Sequence, residues 1–156
     1  MKEKEGKIMI KKYEGAGVIF WRCGDKDKIE VLLAKRAQDI HHAPGQWSSF
    51  GGGRNPNETP WQNAQREAIE ESAQGLGWSE LPSSYFGFRS RPIKTVSYLL
   101  FYQYTYFDVQ VIQNPLGWPS LNWEHSEVKW FPVDQLPDPL HSESRKIIRL
   151  VAEFNP

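Results

Sequence analysis

The chain has 156 residues, a length that fits one domain able to close a real core, so a single domain over residues 1–156 is expected. Its 19 Lys and Arg cancel its 19 Asp and Glu, which excludes a global field that would gather nucleic acid or an anionic membrane surface; any phosphate-binding charge must be local. Cys23 is the only cysteine, which excludes an internal disulfide framework and a cysteine-rich zinc site and suits a reducing, cytoplasmic setting.

The opening segment MKEKEGKIMIKKYEG is charged and has no apolar signal-type stretch, and no later segment approaches the roughly 20 apolar residues of a membrane helix, so a soluble protein is expected. Residues 15–23 (GAGVIFWRC) and 29–36 (IEVLLAKR) are rich in strand formers and flank a polar GDKDK, the pattern of a hairpin. From Asp39 to Thr59 the chain is crowded with Gly, Pro, Asn and Ser, so regular structure there should be short; loops of this length in compact domains are usually functional.

Thr59-Pro60-Trp61-Gln62 reads as a capping box with proline at the first helical position. The helix it starts should run to about Ala73 or Gln74 and stop at Gly75 or Gly77, with Trp61, Ala64, Ala68 and Ile69 inward and the acidic positions on another side. Strand formers dominate residues 85–112, which Pro92 divides into two candidate strands. After a Pro- and Trp-containing loop at 113–123, residues 127–133 read as a last short strand. A final helix from about Leu140 to Phe154 places Leu140, Ile147, Ile148, Val151 and Phe154 near one face.

Chemistry concentrates in the first helix. Positions i, i+3 and i+4 are surface neighbours, so Glu67, Glu70 and Glu71 bring their carboxylates to one side. At ~6 Å each pair repels by roughly 0.7 kcal/mol in water and nearer 3 at an effective dielectric of about 20. They also lie toward the helix C-terminus, where the macrodipole disfavours negative charge. Such a cluster is either a solvated acidic face balanced by Arg66 or a seat for a hard cation, and Mg2+ commonly joins one or two carboxylates to substrate phosphates.

Read from Gly52, the spacing is Gly52, five residues, Glu58, seven residues, then Arg66-Glu67-Ala68-Ile69-Glu70-Glu71. This resembles the Nudix box, here residues 52–74, with every charged position and spacing matched. Ala73 stands where glycine is usual, Gln74 where a large aliphatic is usual, and small Ala68 takes the first aliphatic position. The likeness extends through the hairpin, the GQWSSFGG lead-in, the later strands and the last helix.

The resemblance implies an α/β/α sandwich with a central mixed sheet. It also implies hydrolysis of a diphosphate linkage in a nucleoside diphosphate derivative by metal-activated water, with Mg2+ as cofactor and Mn2+ as substitute. Glu67 and Glu71 would be the first metal ligands, with Glu70 a ligand or the base. Arg66 would orient a box carboxylate, Glu58 would support the loop and helix by pairing with a basic residue, and Gly52 and Gly53 would let backbone approach the phosphates. Glu124 is preferred over Glu127 as a further acid, since an acid followed by His and a Trp-bearing strand recurs among similar proteins. Arg36, Arg89 and Arg91 are candidate phosphate grips, with Lys94 and Arg54 behind them; each also reads as an exposed strand-edge charge. Trp47, Phe50, Tyr85 and Phe86 read as core in preference to base-stacking residues, and His41 and His42 as loop histidines. The expected partner is a small nucleotide-like molecule, not nucleic acid or membrane, and a homodimer follows from the size of similar proteins. The competing class is a catalytically weak nucleotide-binding or sensor module on the same fold, which complete retention of Arg66, Glu67, Glu70 and Glu71 argues against.

Overall fold

A computed structural model describes residues 12–89 and 91–155. Strands β1 (Tyr13–Cys23) and β2 (Ile29–Arg36) form the hairpin, joined through one 3-10 turn at Asp25–Asp27. Side-chain alternation along them sets the layers. Ala16, Val18 and Phe20 face one side with Leu32 and Ala34, while Ile19 and Trp21 face the other with Val31 and Leu33. Both sides are covered, which is why the strands read as nearly continuous apolar runs. Helix α1 (Pro60–Ser72) lays Ala64 and Ala68 on the first face; helix α2 (Ser142–Phe154) lays Ile147, Ile148 and Val151 on the second. The architecture is an α/β/α sandwich.

The eight-stranded sheet is mixed. β1 runs parallel to β7 (Tyr102–Val111), in register from Tyr13↔Tyr102 to Trp21↔Gln110. β2 pairs with the C-terminal part of β1 and then diverges, and β3 (Trp47–Ser48) and β4 (Phe50–Gly53) fill the angle, β3 on β2 and β4 on β1. β8 (His125–Pro132) closes the far edge of β2, while β5 (Phe86–Phe88) and β6 (Lys94–Tyr98) line the far edge of β7. The branch point between β1 and β2 is where the candidate site forms.

Segment 85–112 therefore contains three strands where two were expected. Residues 99–101 interrupt the run, with Leu99 at φ 55°, and turn β6 back onto β7 as a second hairpin. The final helix is also shorter than expected. Leu140 precedes it and packs from outside, and Phe154 is 52% exposed because Val151 is the last position of the helix turned into the core.

The start of α1 follows the sequence pattern. Thr59 Oγ1 accepts from Gln62 N at 3.1 Å, Gln62 Oε1 accepts from Thr59 N at 2.9 Å, and Pro60 opens the helix. At the other end, Ser120 N donates to Ser72 O at 2.6 Å and Gln74 N to Ser120 O at 2.9 Å. The 113–123 loop thus satisfies the helix end, so alanine serves at position 73; Gly75 and Gly77, at φ +81° and +75°, make the turn just after it. No described helix is long and apolar enough to cross a membrane.

Candidate functional site

Arg66 fastens α1 to the loop before it. Its Nε donates to Glu58 Oε2 at 2.6 Å and its Nη2 to Glu58 Oε1 at 3.0 Å, a bidentate pair, while Nη2 also reaches Gly53 O at 2.8 Å. Nη1 donates to Glu67 Oε1 at 2.9 Å. The hydrogen bonds from Arg66 pull the Glu58 carboxyl below its ordinary pKa. Asn63, almost fully buried, adds donations to Gly52 O and Gly53 O at 3.2 Å each, so helix and β4 are pinned side by side.

The acidic cluster is not one solvated face. Glu71 is 1% exposed, Glu67 side chain 13% and Glu70 side chain 54%. Helix geometry explains the split: four residues bring Glu71 to within about 40° of Glu67, whereas Glu70 lies about 100° from Glu71. Glu70 turns outward to Arg66 Nη1 at 3.4 Å. The converging pair is Glu67 and Glu71, whose carboxyls lie within hydrogen-bond reach of each other.

Glycines admit this pair. A Cβ on Gly52 would stand 2.6 Å from the Glu67 carboxyl carbon, so no larger residue fits there without displacing the carboxylate. Gly51 N donates weakly to Glu71 Oε1 at 3.4 Å. Behind Glu71 lies His125, its side chain fully buried, edge-on to Phe50, with Nε2 3.9 Å from Glu71 Oε1. Burial, with the Arg36 charge second, pulls the His125 pKa down to about 4, so it faces Glu71 as a neutral ring. Burial likewise raises the Glu71 pKa well above the ordinary glutamate value, followed by repulsion from Glu124; the Glu67 pKa is raised by burial against the pull of Arg66.

Among the described residues, no group of three His, Cys, Asp or Glu side chains is preassembled around one point. The donor set nevertheless suits a hard cation. Among the described residues Glu71 Oε2 is buried without a hydrogen-bond partner, beside Glu67 and near Glu124, an arrangement of repelling oxygens that a divalent ion would stabilise. Two carboxylates suffice for Mg2+, which keeps waters and takes phosphate oxygens for its remaining positions.

Next to these acids a cleft of about 600 Å³ opens at the sheet's branch point. Gly51, Gly52, Glu124 and Arg36 line it, along with Tyr104 and His141. Arg36 is partly committed, Nε donating to His42 O at 2.9 Å. Of the other sequence candidates, Arg89 contacts Asn155 Oδ1 and lies 3.7 Å from Asp108, and neither it nor Arg91 or Lys94 lines the cleft. Glu127 lies 4.0 Å from Lys129 at the surface. Trp47, Phe50 and Phe86 are core, and His42 lies on the cleft rim.

Sequence reasoning passed over Tyr104, Ser48 and the buried His125. The signal for Tyr104 was present in two places: the alternation Tyr102, Tyr104, Tyr106 along one strand face, and the glycines at 15, 17 and 51. A Cβ on Gly15 would stand 2.9 Å from the Tyr104 ring, and one on Gly51 would collide with its hydroxyl. A reading that took each glycine only as a turn residue does not connect them.

Comparisons with known proteins agree with the geometry. The family model described as NUDIX domain matches residues 12–151. Nucleoside triphosphatase NudI of Escherichia coli is 30% identical over 126 residues, covering 76% of this chain and 85% of that protein. Among solved structures, a Nudix hydrolase from M. smegmatis, RenU, superposes with a TM-score of 0.68 at 28% identity, over 98% of this chain and 93% of its own. The C. elegans Ap4A hydrolase in a binary complex has the same fold, with a TM-score of 0.68 at 23% identity over 90% of this chain and 96% of its own.

Proposed function

We propose, from the premise that the chain belongs to the NUDIX family, that it hydrolyses the diphosphate linkage of a nucleoside diphosphate derivative at the Glu67–Glu71 edge of α1. The observation that carries this reading is Glu71 Oε2, buried and, among the described residues, without a hydrogen-bond partner, beside Glu67 and near Glu124, which lines the cleft. Two of the three named proteins act on nucleotides by their names, NudI on nucleoside triphosphates and the C. elegans enzyme on Ap4A, which supports the reaction type without fixing the substrate.

Glu67 and Glu71 would hold Mg2+, or Mn2+ in its place, with the nearby Glu124 a further donor. When bound, such an ion lowers the pKa of water and neutralises charge on the attacking and leaving oxygens. The chain's own residues set the geometry. Arg66 fixes the Glu67 carboxylate through Nη1 and holds the β4 backbone through Gly53 O, so that Gly52 and Gly53 face the diphosphate in a fixed position. Glu70, half exposed and in only a long contact with Arg66 Nη1 at 3.4 Å, would take a proton from water. Arg36 approaches from β2 as the cation nearest the cleft interior and would neutralise the remaining phosphate charge. The enzyme would work as a cytoplasmic single domain on a small soluble molecule.

The test is phosphate release from a panel of nucleotides and nucleotide conjugates, with and without Mg2+, by the wild-type protein and by Glu71→Gln. Mg2+-dependent release from at least one member, lost in the variant, is the expected result. Undiminished release by the variant removes Glu71 from the mechanism, and inactivity across a broad panel moves the protein to the sensor class.

A further inference from the structure

Strand β8 is irregular just where it meets the site. Its pairing with β2 runs Lys35↔Glu127 and then Arg36↔His125, so one step along β2 spans two along β8 and Ser126 is the extra residue of a bulge. Alternation alone would put Ser126 on the α1 side with Val128 and Trp130, and His125 on the α2 side with Phe131. The bulge reverses this. His125 turns to the α1 side, where its ring meets Phe50 edge-on and lies behind Glu71, while Ser126 is exposed. Bulges beside active sites commonly re-aim a side chain in this way.

Packing does not account for the residue so placed. Both ring nitrogens of His125 are buried and, among the described residues, have no hydrogen-bond partner. Each such atom costs about 1–3 kcal/mol, so an apolar side chain would fill the same space more stably. What the histidine adds is a donor. Its Nε2 lies 3.9 Å from Glu71 Oε1, the oxygen that Gly51 N–H also approaches, at 3.4 Å. One group from β8 and one from β4 are thus directed at a single oxygen of Glu71, and the other oxygen, Oε2, is the one without a partner among the described residues.

The two oxygens of this carboxylate are therefore not equivalent. A carboxylate ligates a cation in a defined direction when donors hold the oxygen that does not bind, and such outer partners are worth roughly 10–100-fold in affinity. The start of β8 serves the site twice, because Glu124, the residue before His125, lines the cleft with its carbonyl held by Ala37 N at 2.9 Å.

Resting on the hydrolase reading above, we propose that His125 is a positioning residue for the cation: its Nε2–H closes onto Glu71 Oε1 and, with Gly51 N–H, fixes the carboxylate so that Oε2 is offered to the ion. A neutral imidazole has one N–H, and the geometry assigns it to Nε2. Glu71 is then held by two strands as well as by its own helix.

Mn2+ alone is titrated into the protein and the free ion followed by its paramagnetic resonance, a readout that needs no turnover. His125→Gln carries an amide N–H to the place of Nε2, whereas His125→Asn carries one only to the place of Nδ1. The expected Kd is within about threefold of the wild-type value for His125→Gln and at least about tenfold weaker for His125→Asn. Equal Kd for His125→Asn and wild type, or His125→Gln as weak as His125→Asn, overturns the proposal and leaves the hydrolase reading standing. A wild type that takes up no Mn2+ at millimolar supply overturns both. The unsubstituted chain gives a second measurement, free of any effect of substitution on folding: long-range 1H–15N spectra should show His125 protonated at Nε2. Protonation at Nδ1 instead overturns the proposal whatever the variants bind.

Discussion

The two ends of the α1 carboxylate row differ in how completely their polar atoms are satisfied. At the outer end, Arg66 spends its guanidinium on Glu58, Glu67 and the Gly53 carbonyl at distances of 2.6–3.0 Å. At the inner end, Glu71 Oε2 and both nitrogens of His125 are buried with no hydrogen-bond partner among the described residues. The outer end is finished by the chain itself, whereas the inner end keeps buried polar atoms that no described residue satisfies. Saturated networks hold a fold, and unsaturated buried groups mark where a ligand is to bind. Stability and activity should accordingly respond to different residues only one or two helical turns apart.

The largest expected effect is on turnover. Glu71→Gln keeps the shape of the side chain, removes its charge and should reduce hydrolysis by about 100-fold or more. Its unfolding midpoint without divalent ion should be equal to or above that of the wild type, because a buried, repelled acid has been replaced by a neutral amide. A midpoint several degrees lower would show that Glu71 belongs to the structural end after all.

The pH response of the inner end comes next, and its two groups act with opposite sign. The His125 pKa is depressed to about 4 in the folded chain against about 6.5 unfolded. Its contribution is complete above about pH 6.5 and is lost as pH falls toward 4, by up to about 3 kcal/mol. Glu71, with its pKa raised by burial, contributes in the other direction: its share is present below the ordinary glutamate pKa and is lost as pH rises. The two slopes oppose each other in the wild type. Denaturant titrations of metal-free Glu71→Gln should therefore show a steeper acid limb than the wild type between pH 6.5 and 4, a limb that Glu71→Gln/His125→Gln loses. Parallel acid limbs in wild type and Glu71→Gln would sink the account of the inner end.

Breaking the outer end should cost stability of about 1–3 kcal/mol, because Arg66→Met strands Glu58, Glu67 and the Gly53 carbonyl at once. Urea unfolding measures it, and Glu58→Gln should cost less, since an amide still accepts one of the two bonds. The smallest effect is expected at the cap: Thr59→Ala removes one of the two capping-box hydrogen bonds and should lower stability by about 1 kcal/mol with kcat unchanged.

Local features of the chain were readable without coordinates. The capping box at Thr59, the helix that follows it, the β1–β2 hairpin and the spacing from Gly52 to Glu71 all rest on contacts within a few residues, or on patterns that alternate at the period of one element. The end of α1 was legible to within about two residues even though its satisfaction comes from distant Ser120. The break at Leu99 that makes a third strand was not legible, because the residues on either side are equally good strand formers and no glycine or proline marks the turn.

The site divides in the same way. The sequence by itself determined that Arg66, Glu67, Glu70 and Glu71 share a helix, since a fixed number of residues per turn sets their relative directions. Only the tertiary structure decided that Glu71 is sealed against His125 while Glu70 stands in solvent, because burial depends on what β4 and β8 bring from far along the chain. The same holds for the cleft. Tyr104, Ser48 and Gly51 reach one wall through strand pairings that cross the sheet, and the free energy of an unpaired hydroxyl depends on neighbours that sequence distance does not reveal.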